Sequence, residues 1–455
     1  MELLGQCSDE LSREVKVLSE GSSFPLGDVT DPDLNVTDPL SALVRQGSGD
    51  FTKAKRQVLH LSDRIRSLVA EPTDFIQHLS IQCQLLACLQ WLADFHVLAY
   101  IPLTGSVPAK DIAELAGVPE SQLTQNVRLL ASAGFLSEPQ SGLLSHTSLS
   151  APFVTNVAYL DAINFLSQTV VPSAAHMTAA TIVGQQRPQN GPRSGGGAAE
   201  RAQSAYTQAF GPTHSFEAAC EQKPKLLRQY RAYLQCIGDV DENADDADAV
   251  ELLLQLDWHA LGNARVVMVN ANSTRVADAL SARYPPLRFV VQMTELHALS
   301  NSIMGEGSAA NGQTGSVAVS YRASGSFQPV EDAAVYIIQC SRSNSQQIPE
   351  TDLQAELRAH KGILRNNPSA TVVLTPRLLP ALGALDPSVE TVARLRDMSR
   401  LQLTNERDTE LDEFVGALDT VQDGTGRLVV VNQLSLRRTT MMALGVKYQS
   451  INVTT

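Results

Sequence analysis

The residues best placed to do chemistry stand where two apolar runs end. Val266-Val267-Met268-Val269 leads into Asn270-Ala271-Asn272-Ser273-Thr274, and Val335-Tyr336-Ile337-Ile338 leads into Gln339-Cys340-Ser341-Arg342-Ser343-Asn344. If both runs are parallel strands of one sheet, the ligand crevice lies beyond their carboxyl ends. Asn270, Asn272, Ser273, Ser343 and Asn344 would then share one pocket mouth. A nucleotide-like ligand there asks for glycines after the first strand, which reach positive φ and let the backbone come close. It also asks for an acid at the end of the second strand, to accept from ribose hydroxyls. The plain reading of the five residues is ordinary strand-end loop; the sharper reading is a ligand pocket without a cofactor. No metal chemistry is legible. The nine histidines are scattered singly, and six cysteines in 455 residues make no disulfide framework. Cys83 and Cys88 read as buried free thiols on an apolar helix, in a reducing intracellular compartment.

The elements that would hold this mouth fill the last 200 or so residues. Strand-like runs at 264–270, 287–293, 333–340 and 370–378 alternate with the helical segments Thr274–Pro285 and Asp352–Leu364. Gly426–Leu434 and Met442–Ile451 read as a closing hairpin. Strands alternating with helices imply a mostly parallel, doubly wound α/β sheet.

Upstream, residues 1–50 are polar and broken by Pro25, Pro32 and Pro39, and read as a mostly disordered tail. Val58, Leu61, Ile65 and Leu68 then recur at spacings of three and four, an amphipathic helix closed by Pro72. Phe75 to Leu98 is apolar enough to be buried on several sides. Val107–Pro119 is a helix stopped by Gly117, Glu120–Ala133 a second helix, and Gly134–Ser145 a pair of short strands, together a winged helix. The plain reading of that unit is dimerisation or docking; the sharper one is DNA binding. Its second helix carries one arginine and no lysine, which disfavours DNA. The expected domains are therefore a tail over 1–50, a helical winged-helix dimerisation domain over 51–165, a helical connection over 166–245 and a Rossmann-like domain over 246–455. The connection holds a flexible Gly/Pro-rich insertion at 184–200. Seven acids between Asp239 and Glu251 read as a solvated helix start, or as a patch for a basic partner. With 35 Lys and Arg against 48 Asp and Glu, the formal charge is −13, against the usual sign for a protein that grips phosphates. No apolar run is long enough to span a membrane.

The stretch LDWHALGNARVVMVNANSTRVADALSARYPPLRFVVQM resembles the core of small-molecule O-methyltransferases that use S-adenosylmethionine. The similarity covers residues ~55 to 450, including SAYTQAFGPTHSFEAACEQKPKLLRQYRAYL and DMSRLQLTNERDTELDEFVGAL. It implies an N-terminal winged-helix unit that dimerises and a Rossmann-like domain that binds the cofactor. The departures are specific. The family's glycine-rich turn falls on 267–274, where every glycine is gone and the leading acid is Met268. The second acid falls on Met293, and the catalytic histidine on Ser343. A serine without an activating base cannot remove a phenolic proton. Burying ribose donors without the acid at 293 would cost about 1–3 kcal/mol. The expectation is a degenerate cofactor site with no catalytic, cofactor-binding or metal-binding residues.

Within that fold, QCQLLACLQWLADFHVLAYIPLTGSVP, AGVPESQLTQNVRLL and LRNNPSATVVLT resemble the fungal aflatoxin-cluster co-activator family. The resemblance implies a pseudoenzyme that accompanies a pathway-specific Zn2Cys6 transcription factor and supports transcription of a polyketide gene cluster, in the nucleus. It also implies a homodimer. An acidic chain suits a partner whose DNA-binding domain is basic. Lys53-Ala54-Lys55-Arg56 is short for an import signal, so nuclear entry by way of the partner is expected. The competing readings are an active or repurposed O-methyltransferase-like enzyme on polyketide intermediates, and an independent DNA-binding winged-helix protein.

Overall fold

A computed structural model describes residues 2–21, 49–185, 204–211, 215–238, 242–293, 317–340, 350–423 and 425–450. They group into two compact units: Met1–Ile237 with Leu401–Glu406, and Gly238–Arg400 with Arg407–Thr455.

The first unit begins with a helix where a disordered tail was expected. Helix α1 (Glu2–Gly21) pairs with α2 (Gly49–Val69). The reason lies in two matching heptad seams. Leu4, Cys7, Leu11 and Leu18 turn inward from α1, and Phe51, Ala54, Val58, Leu61 and Ile65 from α2, with Cys7, Phe51, Ala54 and Leu61 fully buried. Charge supports the pairing: α1 carries Asp9, Glu10 and Glu14 against Arg13 and Lys16, while α2 carries Lys55, Arg56, Arg64 and Arg66 against Asp63. Pro25, Pro32 and Pro39 lie outside the described residues, as does the insertion from 186 to 200; Gly184 and Gln185 end the helix Met177–Gln185.

Helix α3 (Pro72–Asp94) starts at a capping box in which the Glu71 N–H donates to Asp74 (2.9 Å). It has two apolar stripes. Cys88 and Leu92 face the core, whereas Phe75, Ile76 and Leu79 are 61%, 63% and 49% exposed on the chain by itself. Cys83 lies on the outward stripe, one turn beyond Leu79, and is exposed; Cys236 is exposed as well. Both correct the expectation of buried thiols, because burial follows the helix face and not the residue type. Next come β1 (Val107–Pro108), α4 (Ala109–Ala116), α5 (Glu120–Ser132), β2 (Leu136–Gln140) and β3 (Leu143–His146), with the strands in the order β1-β3-β2. Gly117 ends α4 at φ +66°, a value open to glycine without strain. Ile112, Leu123, Val127, Leu130 and Leu144 fill the core between these helices and the hairpin. The helical remainder includes α6 (Val157–Phe165) and α7 (Pro224–Cys236). Arg228 of α7 grips Asp161 of α6 with two hydrogen bonds (2.7 and 3.0 Å). Ahead of α7, the chain also forms the helices Ala205–Phe210 and Phe216–Gln222.

The second unit contains α8 (Glu242–Leu253), β4 (Arg265–Ala271), α9 (Arg275–Arg283), β5 (Arg288–Met293), β6 (Val317–Tyr321), β7 (Val335–Gln339), α10 (Glu350–Asn366) and β8 (Thr371–Thr375). Helices α11 (Pro387–Thr404, of which 401–404 group with the first unit) and α12 (Leu411–Asp419) and strands β9 (Gln422–Asp423), β10 (Gly426–Ser435) and β11 (Met442–Ser450) follow. The sheet order is β6-β5-β4-β7-β8-β11-β10-β9. The first five of these strands pair in parallel and the last three antiparallel, which gives the doubly wound sheet with its closing hairpin. Strand β6 was not read from the sequence; it has five residues and sits at the sheet edge, too short for a clear alternation. The neighbouring apolar runs are continuous because both faces are covered. Val266 and Met268 pack with Trp258 and Leu280 on one side, and Val267 and Val269 with Leu357 and Phe414 on the other.

The α1–α2 seam is testable on its own. Leu61→Ala leaves a void costing about 2–5 kcal/mol at a buried leucine. Hydrogen–deuterium exchange should show the α1 amides exchanging at least tenfold faster, on the order of the low end of that cost. The β4 and β7 amides should keep their protection.

Candidate functional site

The turn after β4 sits at the carboxyl end of the sheet, where β4 has β5 on one side and β7 on the other. Asn270 takes φ +56°, a left-handed bend that asparagine tolerates better than most residues. It thereby makes without glycine the bend for which glycine is the usual residue. Asn270 is 8% exposed, and its Nδ2 is buried with no hydrogen-bond partner. Two other polar groups of the turn are met from within the chain. The Asn272 N–H donates to Gln339 Oε1 of β7 (3.3 Å). The Ser273 hydroxyl donates to Asp246 of α8 (2.7 Å) and accepts from the Arg275 N–H (3.3 Å). Met268 and Met293 are buried in the sheet core at 0% and 7% exposure. The two positions where the resemblance looks for carboxylates are thus apolar contacts.

Asn270, Asn272 and Ser273 come together as expected; Ser343 and Asn344 lie outside the described residues. Gln339 and Asp246 were missed. The register of β7 beside β4, with Val269 opposite Ile338, brings Gln339 to the turn, and that register is not readable before the strand order is known. Asp246 belongs to the acidic run read as a solvated helix start, and the hydrogen bond to Ser273 gives it a specific place. Further along α8, Asp248 and Glu251 face Arg438 across an ion pair. Cys340, just past β7, is no nucleophile: burial pushes its thiol up to about 12. Among the described residues no group of His, Cys, Asp and Glu could hold a metal ion.

A second polar cluster, also unread from the sequence, lies between the β6–β7 loop and α10. Arg322 donates to Glu356 (2.6 Å), to the Phe327 carbonyl (3.2 Å) and to the Ser326 carbonyl. The Gly325 N–H donates to the other Glu356 oxygen (2.6 Å). Gln292 and Gln328 exchange two hydrogen bonds (2.8 and 2.9 Å), and Gln328 Nε2 also donates to His360 Nε2 (3.1 Å). His360 Nδ1–H therefore donates to the Glu356 carbonyl (2.8 Å), and the ring is neutral. All five side chains are buried. The ion pair neutralises itself and the amides are satisfied, so the cluster fixes a loop and offers no acid, base or nucleophile to a substrate.

No model of a known protein family matches the chain. Curated relatives do. The monodictyphenone cluster transcriptional coactivator mdpA of Emericella nidulans is 38% identical, over 91% of this chain and 92% of its own. The dothistromin biosynthesis regulatory protein aflJ of Dothistroma septosporum is 37% identical over 98% of both. The trypacidin cluster transcriptional coactivator tpcD of Aspergillus fumigatus is 40% identical, over 87% of this chain and 86% of its own. The chain belongs to this family of fungal secondary-metabolite cluster coactivators. Among solved structures, OxaC matches with TM-score 0.55 at 14% identity, covering 98% of this chain and 99% of its own. The mitomycin 7-O-methyltransferase MmcR matches with TM-score 0.52 at 15% identity, covering 83% and 98%. These likenesses show the fold, that of O-methyltransferases, in a family of coactivators.

His360 yields a prediction about pH. Burial holds its pKa below the usual histidine value, so the fold favours the neutral ring. In the unfolded chain the imidazole takes up a proton as pH falls through about 6.5. Stability is therefore full above that value and is lost as pH falls from it towards the lower folded pKa. Urea unfolding between about pH 7.5 and about pH 5 should show this loss, and His360→Gln should flatten it. His146, lowered mainly by burial, should leave a smaller slope of the same sign in that variant.

Proposed function

We propose that the chain is a non-catalytic transcriptional coactivator. It binds a pathway-specific Zn2Cys6 transcription factor in the nucleus and promotes transcription of a polyketide-type secondary-metabolite cluster. The names of the relatives support the coactivator role. One observation carries the absence of chemistry: the β4 turn has its Asn272 N–H and Ser273 hydroxyl taken by Gln339 and Asp246, with methionines in the core where carboxylates would serve a nucleoside. The competing reading, a repurposed enzyme on polyketide intermediates, draws on the unpartnered Nδ2 of Asn270. Direct DNA reading has little support. The one cation of α5, Arg128, is spent on Glu138 of the adjoining hairpin (3.1 Å). The factor, not this chain, reads DNA.

The active assembly is a homodimer held by the outward stripe of α3. Phe75, Ile76 and Leu79 are too large and too exposed to face water in a lone chain, and α3 has no lysine or arginine to solvate them. The winged-helix reading of α4, α5 and the β2–β3 hairpin makes them the docking frame of that dimer.

Three measurements test these readings. Calorimetry with S-adenosylmethionine should show no heat of binding at micromolar protein, and incubation with a phenolic acceptor should give no methylated product; micromolar binding with turnover would establish the enzyme instead. Light scattering should give a dimer for the wild-type chain and a monomer for the double variant Ile76→Glu, Leu79→Glu, since two carboxylates cannot be buried unpaired in an apolar seam.

A further inference from the structure

Helices α1 and α2 are unequal partners. Among the described residues α1 packs on α2 and makes no comparable contact with any other element. The seam positions of α2 are apolar throughout: Phe51, Ala54, Val58, Leu61, Ile65 and Leu68. Those of α1 run Leu4, Cys7, Leu11, Glu14 and Leu18, so a small thiol and a carboxylate stand at two of the five. A polar residue at such a position lowers the stability of a helix pair. The cover is accordingly incomplete. Cys7 is fully buried, but Leu4, Leu11, Glu14 and Leu18 are only half-buried. On α2, Val58 and Ile65 are half-buried and Leu68 is 42% exposed.

Helix α1 is also weak by itself. Its 20 residues include Gly5, Ser8, Ser12, Val15, Val17 and Ser19, all poorer helix formers than alanine or leucine. An isolated helix of this kind is marginal in water. Its order therefore comes from α2, and its local opening lies at the low end of the stability range. Charge decides what else α2 would accept. Lys55, Arg56, Arg64 and Arg66 outnumber Asp63 on α2, and Lys55, Arg56 and Arg64 form no ion pair among the described residues. The acids of α1, Asp9, Glu10 and Glu14, are offset in part by Arg13 and Lys16. Helix α1 thus has the form of a ligand for α2, acidic and amphipathic, with two of its anchors weakened.

We propose that α1 is an intramolecular cover for α2, and that the transcription factor displaces it with an acidic amphipathic helix. The incoming helix sets apolar side chains at every seam position, including the two where α1 has Cys7 and Glu14, and places acids beside Lys55, Arg56 and Arg64. The α1 of a second copy brings the same thiol and carboxylate, and so gains nothing over the chain's own. The inference rests on the coactivator reading and adds to it a docking surface and a regulated step.

The test is retention of the full-length Zn2Cys6 factor by the full-length chain, joined to hydrogen–deuterium exchange. In the complex the α1 amides should lose protection while those of α2 keep theirs. Cys7→Leu with Glu14→Leu completes the α1 seam and strengthens the fold. A cover that closes tenfold more tightly weakens the apparent affinity of its competitor tenfold. This double variant should therefore retain the factor at least tenfold less well, with α1 exchanging more slowly in the free chain. Leu11→Ser, which loosens the cover, should retain it severalfold better, and adding Lys55→Glu with Arg56→Glu should abolish that gain. Wild-type retention by the double variant, or a complex in which α1 keeps its protection, overturns the cover and leaves the coactivator reading standing. Wild-type and Leu11→Ser chains that both retain no factor remove the partnership on which both rest. Protection of α1 that rises with the concentration of this chain and needs no factor assigns α1 to the α2 of a second copy and overturns the proposal.

Discussion

Strand β4 has water on neither face, and most of the second unit follows from that. Residues 266 and 268 belong to one core and residues 267 and 269 to the other, so a polar side chain at any of the four would be buried and would need a partner. Met268 is therefore a stable choice where a carboxylate would be costly. The same holds at the end of β5, where Met293 closes the core beside Ala271. The sheet has the architecture of the O-methyltransferase fold, and its interior is filled with apolar side chains.

Two polar groups of the β4 turn are satisfied by side chains from other elements. Gln339 reaches over from the adjacent strand, and Asp246 from the preceding helix. The backbone bend survives because asparagine reaches the left-handed region at modest cost. The fold constrains burial and backbone shape, and by itself fixes no chemistry.

Elsewhere the molecule places its strongest polar interactions where they hold shape. Arg322 and Glu356 are almost wholly buried, at 5% and 1% side-chain exposure, and the side-chain hydrogen bonds described for them go to the β6–β7 loop or to each other. A pair buried this deeply adds little net stability, because desolvation offsets most of the attraction, but losing one member would leave an uncompensated charge. Its effect is to give the loop one conformation. In the first unit, Asp161 with Arg228 ties two helices in a comparable way, with the arginine at the surface.

Much of the α/β architecture was legible before any coordinates, because strands covered on both faces must read as unbroken runs of Val, Ile and Met. Helix α2 was legible for a related reason: its apolar residues repeat every three or four positions. Helix α1 was missed because its acids and the prolines that follow hid a weaker repeat, Leu4, Cys7, Leu11 and Leu18, that makes sense only beside the seam of α2. Strand β6 was missed because five residues at an edge carry no clear alternation. Three vacancies of the turn, Met268, Met293 and the absent glycines, were visible in the sequence, since each is a matter of residue type. What the sequence by itself determined was therefore which residue types stand at these positions. Which side chains fill the gap was decided only by tertiary structure: Gln339 and Asp246 lie 67 and 27 positions from the atoms they bind. A hydrogen bond depends on distance in space, and strand order sets that distance.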